Sequence, residues 1–116
     1  MKGIVSIIVC CVFLIACSNE TTSLYGRLNK IEEKTFIVEC SDQVQKTENY
    51  SEDIGYSCAV VLTDNTTFRN LNREELSAKD FQSGVIVQVI LTEAKIINRS
   101  NSSRQVEAKE IILIDE

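Results

Sequence analysis

The strongest constraint on this chain is the run Val85-Ile86-Val87-Gln88-Val89-Ile90-Leu91-Thr92, almost all of it branched at Cβ. Cβ branching restricts rotamers in a helix but packs well on a pleated surface, so the run predicts a strand. Its near-continuous apolar character marks a strand covered on both faces, central in a sheet or part of a barrel. Shorter runs repeat the theme with a period of two. Thr35 to Cys40 sets Phe36, Val38 and Cys40 on one face, and Tyr56 to Thr63 does the same with Tyr56, Cys58, Val60 and Leu62. Leu24 to Leu28 and Gln105 to Lys109 alternate as well, and Thr66 to Arg69 reads as extended. Glu110-Ile111-Ile112-Leu113-Ile114 breaks the alternation, which predicts a bulge or a strand leaving the sheet. Phe36 and Phe81 read as core.

The connections are polar. Asn29 to Lys34 predicts a hairpin turn, Ser41 to Gly55 an exposed acidic loop, Asp64-Asn65 a turn, and Asn98 to Ser103 a polar loop. One helix start stands out in Leu71 to Leu76: Asn72 can cap, Glu75 sits at the third helical position, and Leu71 can staple against Leu76. The sum is a mainly β domain of five to six strands with one short helix between the third and fourth. A small Greek-key barrel of the OB kind fits this order, with Gly26 where the first strand bends. A three-stranded sheet packed on one helix is the alternative.

The chain does not open as part of that domain. Lys2 precedes an apolar run from Gly3 to Ala16, interrupted by Ser6, and the first acidic residue is Glu20. A basic residue followed by a short apolar stretch is the layout of a secretory signal peptide. A run of about 14 residues spans roughly 21 Å at 1.5 Å per residue, short of a bilayer's hydrocarbon core. Leu14-Ile15-Ala16-Cys17 resembles the lipobox of bacterial lipoproteins. That resemblance implies a diacylglycerol on the Cys17 thiol, cleavage just before it, and Cys17 as the mature N-terminus. Two acyl chains, at about 0.8 kcal/mol per buried CH₂, anchor stably where one is marginal. The expected organisation is therefore a signal peptide over 1–16, a lipidated Cys and polar tether over 17–23, and a β domain over 24–116. The location it implies is the outer face of the cell membrane.

Position also sorts the cysteines. Of five in the chain, Cys10 and Cys11 leave with the signal and Cys17 takes the lipid, so Cys40 and Cys58 remain as a pair. Outside the cell such a pair reads as a disulfide, and two buried free thiols are the other reading. Two Cys without His fall short of a zinc shell, and the spacing is not that of a redox Cys-x-x-Cys.

The chain of 116 residues has no His, which removes every His-based acid, base or ligand scheme. Its formal charge of −5 argues against nucleic acid as a partner, since phosphate binding depends on Lys and Arg. Loss of Lys2 leaves 11 of the 12 basic residues against 17 acidic ones, about −6, which favours standing off an anionic lipid surface. Adjacent acids at Glu32-Glu33, Glu52-Asp53 and Glu74-Glu75 read as solvated faces, Asp64-Asn65-Thr66 as a turn, and no nucleophile, phosphate-loop, metal or cofactor motif is present.

The order Gly26-x-Leu28, Phe36-Ile37-Val38, Val60 with Asp64-x-Thr66, Asp80-Phe81-x-x-Gly84-x-x-Val87-x-Val89, and Ala108-x-x-Ile111 resembles small exported OB-fold proteins of Gram-positive bacteria. The YobA-like group of lipoproteins is among them. The resemblance implies a fold and a location, and no activity. The expectation is thus a lipid-anchored, extracytoplasmic module that binds a protein or small ligand, without a catalytic centre, through Ser41–Gly55 with Tyr50 and through Asn98–Ser103. A small envelope enzyme using carboxylates and a structural lipoprotein without a ligand are the alternatives.

Overall fold

The computed structural model describes residues 20–48 and 55–115. The segment read as a signal peptide, Cys17, Tyr50 and the Glu52-Asp53 pair lie outside the described residues. Within them the chain is mainly β. Its strands are β1 (Thr21–Glu32), β2 (Thr35–Glu39), β3 (Ser57–Val61), β4 (Thr67–Asn70), β5 (Glu75–Leu76), β6 (Ile86–Lys95) and β7 (Gln105–Asp115). One helix, α1 (Ser41–Glu48), follows β2, and a single 3-10 turn covers Ala78–Asp80.

The described strands form one seven-stranded sheet in the order β3-β2-β1-β6-β7-β4-β5, and β3 pairs in addition with β7. Seven strands replace the expected five or six because a turn and the short strand β5, which closes a hairpin with β4, occupy the stretch Leu71–Leu76 read as helix. β1 is the strand that joins the two halves. Its ladder to β6 covers Thr21 to Arg27, and its ladder to β2 covers Leu28 to Glu32. Gly26 sits at the changeover, where a Cβ would overlap the Glu39 carbonyl oxygen and lie 2.9 Å from Val38 Cγ1. Only glycine lets the end of β2 pass this close. β1 also begins at Thr21, inside the stretch read as tether, because the polar β-branched Thr21 and its neighbours extend the ladder against Ile90 to Lys95.

β7 meets two parallel partners in succession. Ala59 to Val61 of β3 pair with Gln105 to Glu107, and Thr67 to Asn70 of β4 pair with Glu110 to Leu113. Between them the chain steps off the sheet through Leu62 to Thr66. At the same level the β6 ladder jumps from Ile90↔Glu110 to Leu91↔Ala108, the bulge that broken alternation predicts. The Thr66 hydroxyl spans the interruption, donating to the Ala108 carbonyl at 2.7 Å and accepting the Thr63 N–H at 2.8 Å.

The core collects the inward faces of all the long strands: Leu24 and Leu28, Phe36 and Val38, Cys58 and Val60, Val87 and Val89, Val106 and Ile111 are all buried. Phe36, Phe68 and Phe81 form a ring cluster with centroids 5.6 to 6.3 Å apart, tilted as aromatic quadrupoles prefer.

The helix lies where a loop was expected, and the expected helix is a turn. At Leu71 to Leu76 the Asn70 side chain accepts the N–H groups of Asn72 (2.9 Å) and Glu74 (3.0 Å), and Arg73 takes φ 66°. A side chain that competes for backbone donors closes a tight turn instead of a helix. Leu71, the proposed staple, is left 61% exposed. α1, by contrast, begins where the Cys40 carbonyl accepts N–H groups from Gln43 and Val44 at 3.1 Å each. Its one buried apolar side chain, Val44, joins the core beside Cys40.

Candidate functional site

Cys40 and Cys58 are joined by a disulfide with their Cα atoms 5.8 Å apart, both side chains buried. Cys40 closes β2 and opens α1, while Cys58 lies within β3 opposite Val38. The bond therefore fastens the root of the helix to the sheet.

From that root a chain of contacts leads to the second stretch expected at the surface. The Tyr56 N–H donates to Ser41 Oγ at 2.8 Å, tying the far end of the 41–56 segment to the first residue of α1. The Arg104 guanidinium lies 5.2 Å from the centre of the Tyr56 ring, within cation–π range. The same group donates to the Ser57 carbonyl (2.6 Å), to Asn101 Oδ1 (2.6 Å) and to the Arg99 carbonyl (3.3 Å). Among the described residues its Nε is buried without a hydrogen-bond partner.

Asn98–Ser103 is knit internally. Asn98 Oδ1 accepts from the Ser100 N–H (2.9 Å) and the Ser103 hydroxyl (2.8 Å), and Ser103 Oγ accepts the Asn98 N–H (2.9 Å). Lys95 Nζ closes the base of the loop on the carbonyls of Ser102 and Gln105. The two expected contact stretches thus meet around Tyr56 and Arg104, in one polar surface. Arg104 carries that junction, and nothing in its sequence neighbourhood singles it out. Val44 corrects one further expectation: the stretch Ser41–Gly55, read as an exposed loop, contributes a core side chain along with its surface.

Among the described residues acidic side chains engage local partners. Glu32 pairs with Lys30 at 3.5 Å, Glu110 with Arg69 at 3.2 Å, and Glu74 accepts from Asn70 Nδ2 at 3.1 Å. Among the described residues no three His, Cys, Asp or Glu gather as metal ligands. Asp64-Asn65-Thr66 is a turn held by the Thr63 and Thr66 hydroxyls.

Surface concavities are shallow and open. A 720 Å³ depression lies between the β4–β5 turn and the end of β7, floored by Leu71, Leu76, Leu113 and Ile114. A second, of 450 Å³, lies where β6 and β7 splay between Leu91 and Val106. A third is small, 60 Å³, and is bounded by Tyr25, Gly26, Glu39, Ser41 and Asp42 at the root of α1. Among known proteins, no family model, no curated sequence and no solved structure matches the chain.

Proposed function

We propose that the chain is a lipid-anchored, extracytoplasmic binding module: an OB-like Greek-key barrel held at the outer face of the cell membrane by a diacylglycerol on Cys17. It works by presenting a surface to a protein or small-ligand partner and not by catalysis, as a member of the small exported group that the sequence resembles. The observation that carries the location is the Cys40–Cys58 bond, which closes the last two cysteines of the domain and suits an oxidising compartment. The barrel reading is supported by the parallel β3–β7 ladder, which leads the strand order β3-β2-β1-β6-β7 back to β3. The binding reading is supported by the run of contacts from Ser41 through Tyr56 and Arg104 to Asn101, a polar surface built from two segments distant in sequence. Binding residues concentrate on loops held by such a scaffold.

Photo-crosslinking in intact cells tests it. A photoreactive residue is placed at Asp42 or Ser102, both exposed, and a control at Leu71. The expected result is one discrete adduct from the first two positions and none from the third. Adducts spread equally over all three, or absent from all, contradict the module reading.

A further inference from the structure

Among the described residues the N-terminal half of β1 has an open edge. Its ladder to β2 stops at Leu28, so among the described strands Thr21 to Arg27 pair with β6 alone. The direction of the free groups follows from Leu28, whose N–H goes to the Val85 carbonyl (2.8 Å) and whose carbonyl accepts the Gly84 N–H (2.7 Å), both leading into β6. Backbone groups alternate along a strand, so Gly26 and Leu24 also face β6, while Tyr25 and Ser23 turn theirs to the opposite side. The Ser23 carbonyl is taken by the Thr21 hydroxyl at 3.0 Å, as fits a group that no neighbouring strand serves.

Among the described residues this edge lacks the usual protections. Natural edge strands carry Lys, Pro, an inward charge or a covering element that blocks pairing with another chain. Thr21-Thr22-Ser23-Leu24-Tyr25 has no charge and no Pro, and two of its residues are β-branched. At its end lies the small depression bounded by Tyr25, Glu39 and Asp42. Tyr25 is 60% exposed, and the ion pairs among the described residues, Lys30–Glu32 and Arg69–Glu110, leave Glu39 and Asp42 out. Arg27, two positions along β1, is turned away to the Gly84 carbonyl at 3.1 Å, and Lys46, one helical turn beyond Asp42, makes no ion pair with it.

We propose that this edge binds an extended, Lys- or Arg-bearing polypeptide segment by strand addition. The backbone of the segment pairs with Ser23 and Tyr25, and its basic side chain enters the depression. There the ammonium or guanidinium meets Glu39 and Asp42 while its stem lies along the Tyr25 ring. A second copy of this chain is the poorer occupant, because its own pairing segment brings no cation and each copy carries a net charge of −5. The inference rests on the binding-module reading and names the partner's chemistry.

The test is a titration of the full chain, ¹⁵N-labelled in detergent micelles, with the amidated peptide Thr-Val-Thr-Lys-Thr-Val-Thr. The same peptide with Glu for Lys, and a version N-methylated on alternate amides, serve as comparisons. Expected are amide shifts at Ser23, Tyr25 and Glu39–Asp42, and at least tenfold weaker binding of both comparison peptides. Ser23→Pro removes one edge donor without touching the β6 ladder and abolishes binding at an unchanged melting temperature. If that variant unfolds, Glu39→Gln with Asp42→Asn replaces it, and is expected to bring the Lys peptide down to the Glu peptide's affinity. Shifts elsewhere or absent, equal affinity for the Lys and Glu peptides, or concentration-dependent pairing of the free chain through β1 overturn the proposal. Adducts from Asp42 and Ser102 in cells would then still stand, so the edge can fail while the module reading survives.

Discussion

Two residues carry more of this fold than their size suggests. Gly26 lies under the carbonyl of Glu39 at the point where β1 passes from one partner strand to the other. Gly26→Ala places a methyl group against backbone, which cannot rotate away, so the expected loss is at the upper end of overpacking costs, ~3 kcal/mol. The urea midpoint reads it. Thr66 is 8% exposed and serves two backbone groups at the break between β3 and β4. Thr66→Val keeps the shape but removes the acceptor of the part-buried Thr63 N–H and a buried donor to the Ala108 carbonyl, at a cost of about 1–3 kcal/mol. Differential scanning calorimetry of the two proteins checks it, and an unchanged melting temperature would mean that water replaces the hydroxyl.

At the scale of elements, the long strands were legible and the helix and the two-residue β5 were not, for one reason. A strand announces itself through side chains on alternate positions, and Phe36, Val38, Cys58 and Val60 are buried as that pattern requires. α1 has a single apolar anchor, Val44, and owes its place to the Cys40 carbonyl and the disulfide at its root. An eight-residue helix of that composition is not stable alone, so its formation depends on tertiary contacts that periodicity cannot express. The false helix at Leu71–Leu76 failed through a neighbour just outside it. Asn70 is the residue that diverts the Asn72 and Glu74 donors into a turn. Asn70→Ala is therefore expected to loosen the β4–β5 hairpin by about 1 kcal/mol, with faster amide exchange at Asn72 and Glu74 and little change in β7. The candidate site was legible in part: both contact stretches could be named, but Arg104, which joins them, is one arginine in a polar loop with no local pattern around it.

At the scale of the whole molecule, a domain of about 100 residues buries roughly two thirds of its unfolded surface, so a single cross-link is a sizeable fraction of its stability. The Cys40–Cys58 bond closes a loop with a sequence separation of 18. The Cys40→Ala, Cys58→Ala double variant is expected to lose ~3 kcal/mol by the chain-entropy account, with the sheet's circular dichroism retained. An exported, lipid-anchored protein with a disulfide differs from a cytoplasmic thiol protein of the same sequence in covalent mass, which makes mass the most direct test. Intact mass spectrometry of the chain extracted from the membrane fraction, with and without reductant, should show residues 1–16 removed, a diacylglycerol on Cys17, and a gain of two hydrogens on reduction. An uncleaved chain, an unlipidated one released to the medium, or one whose Cys40 and Cys58 are free before reduction would contradict the account.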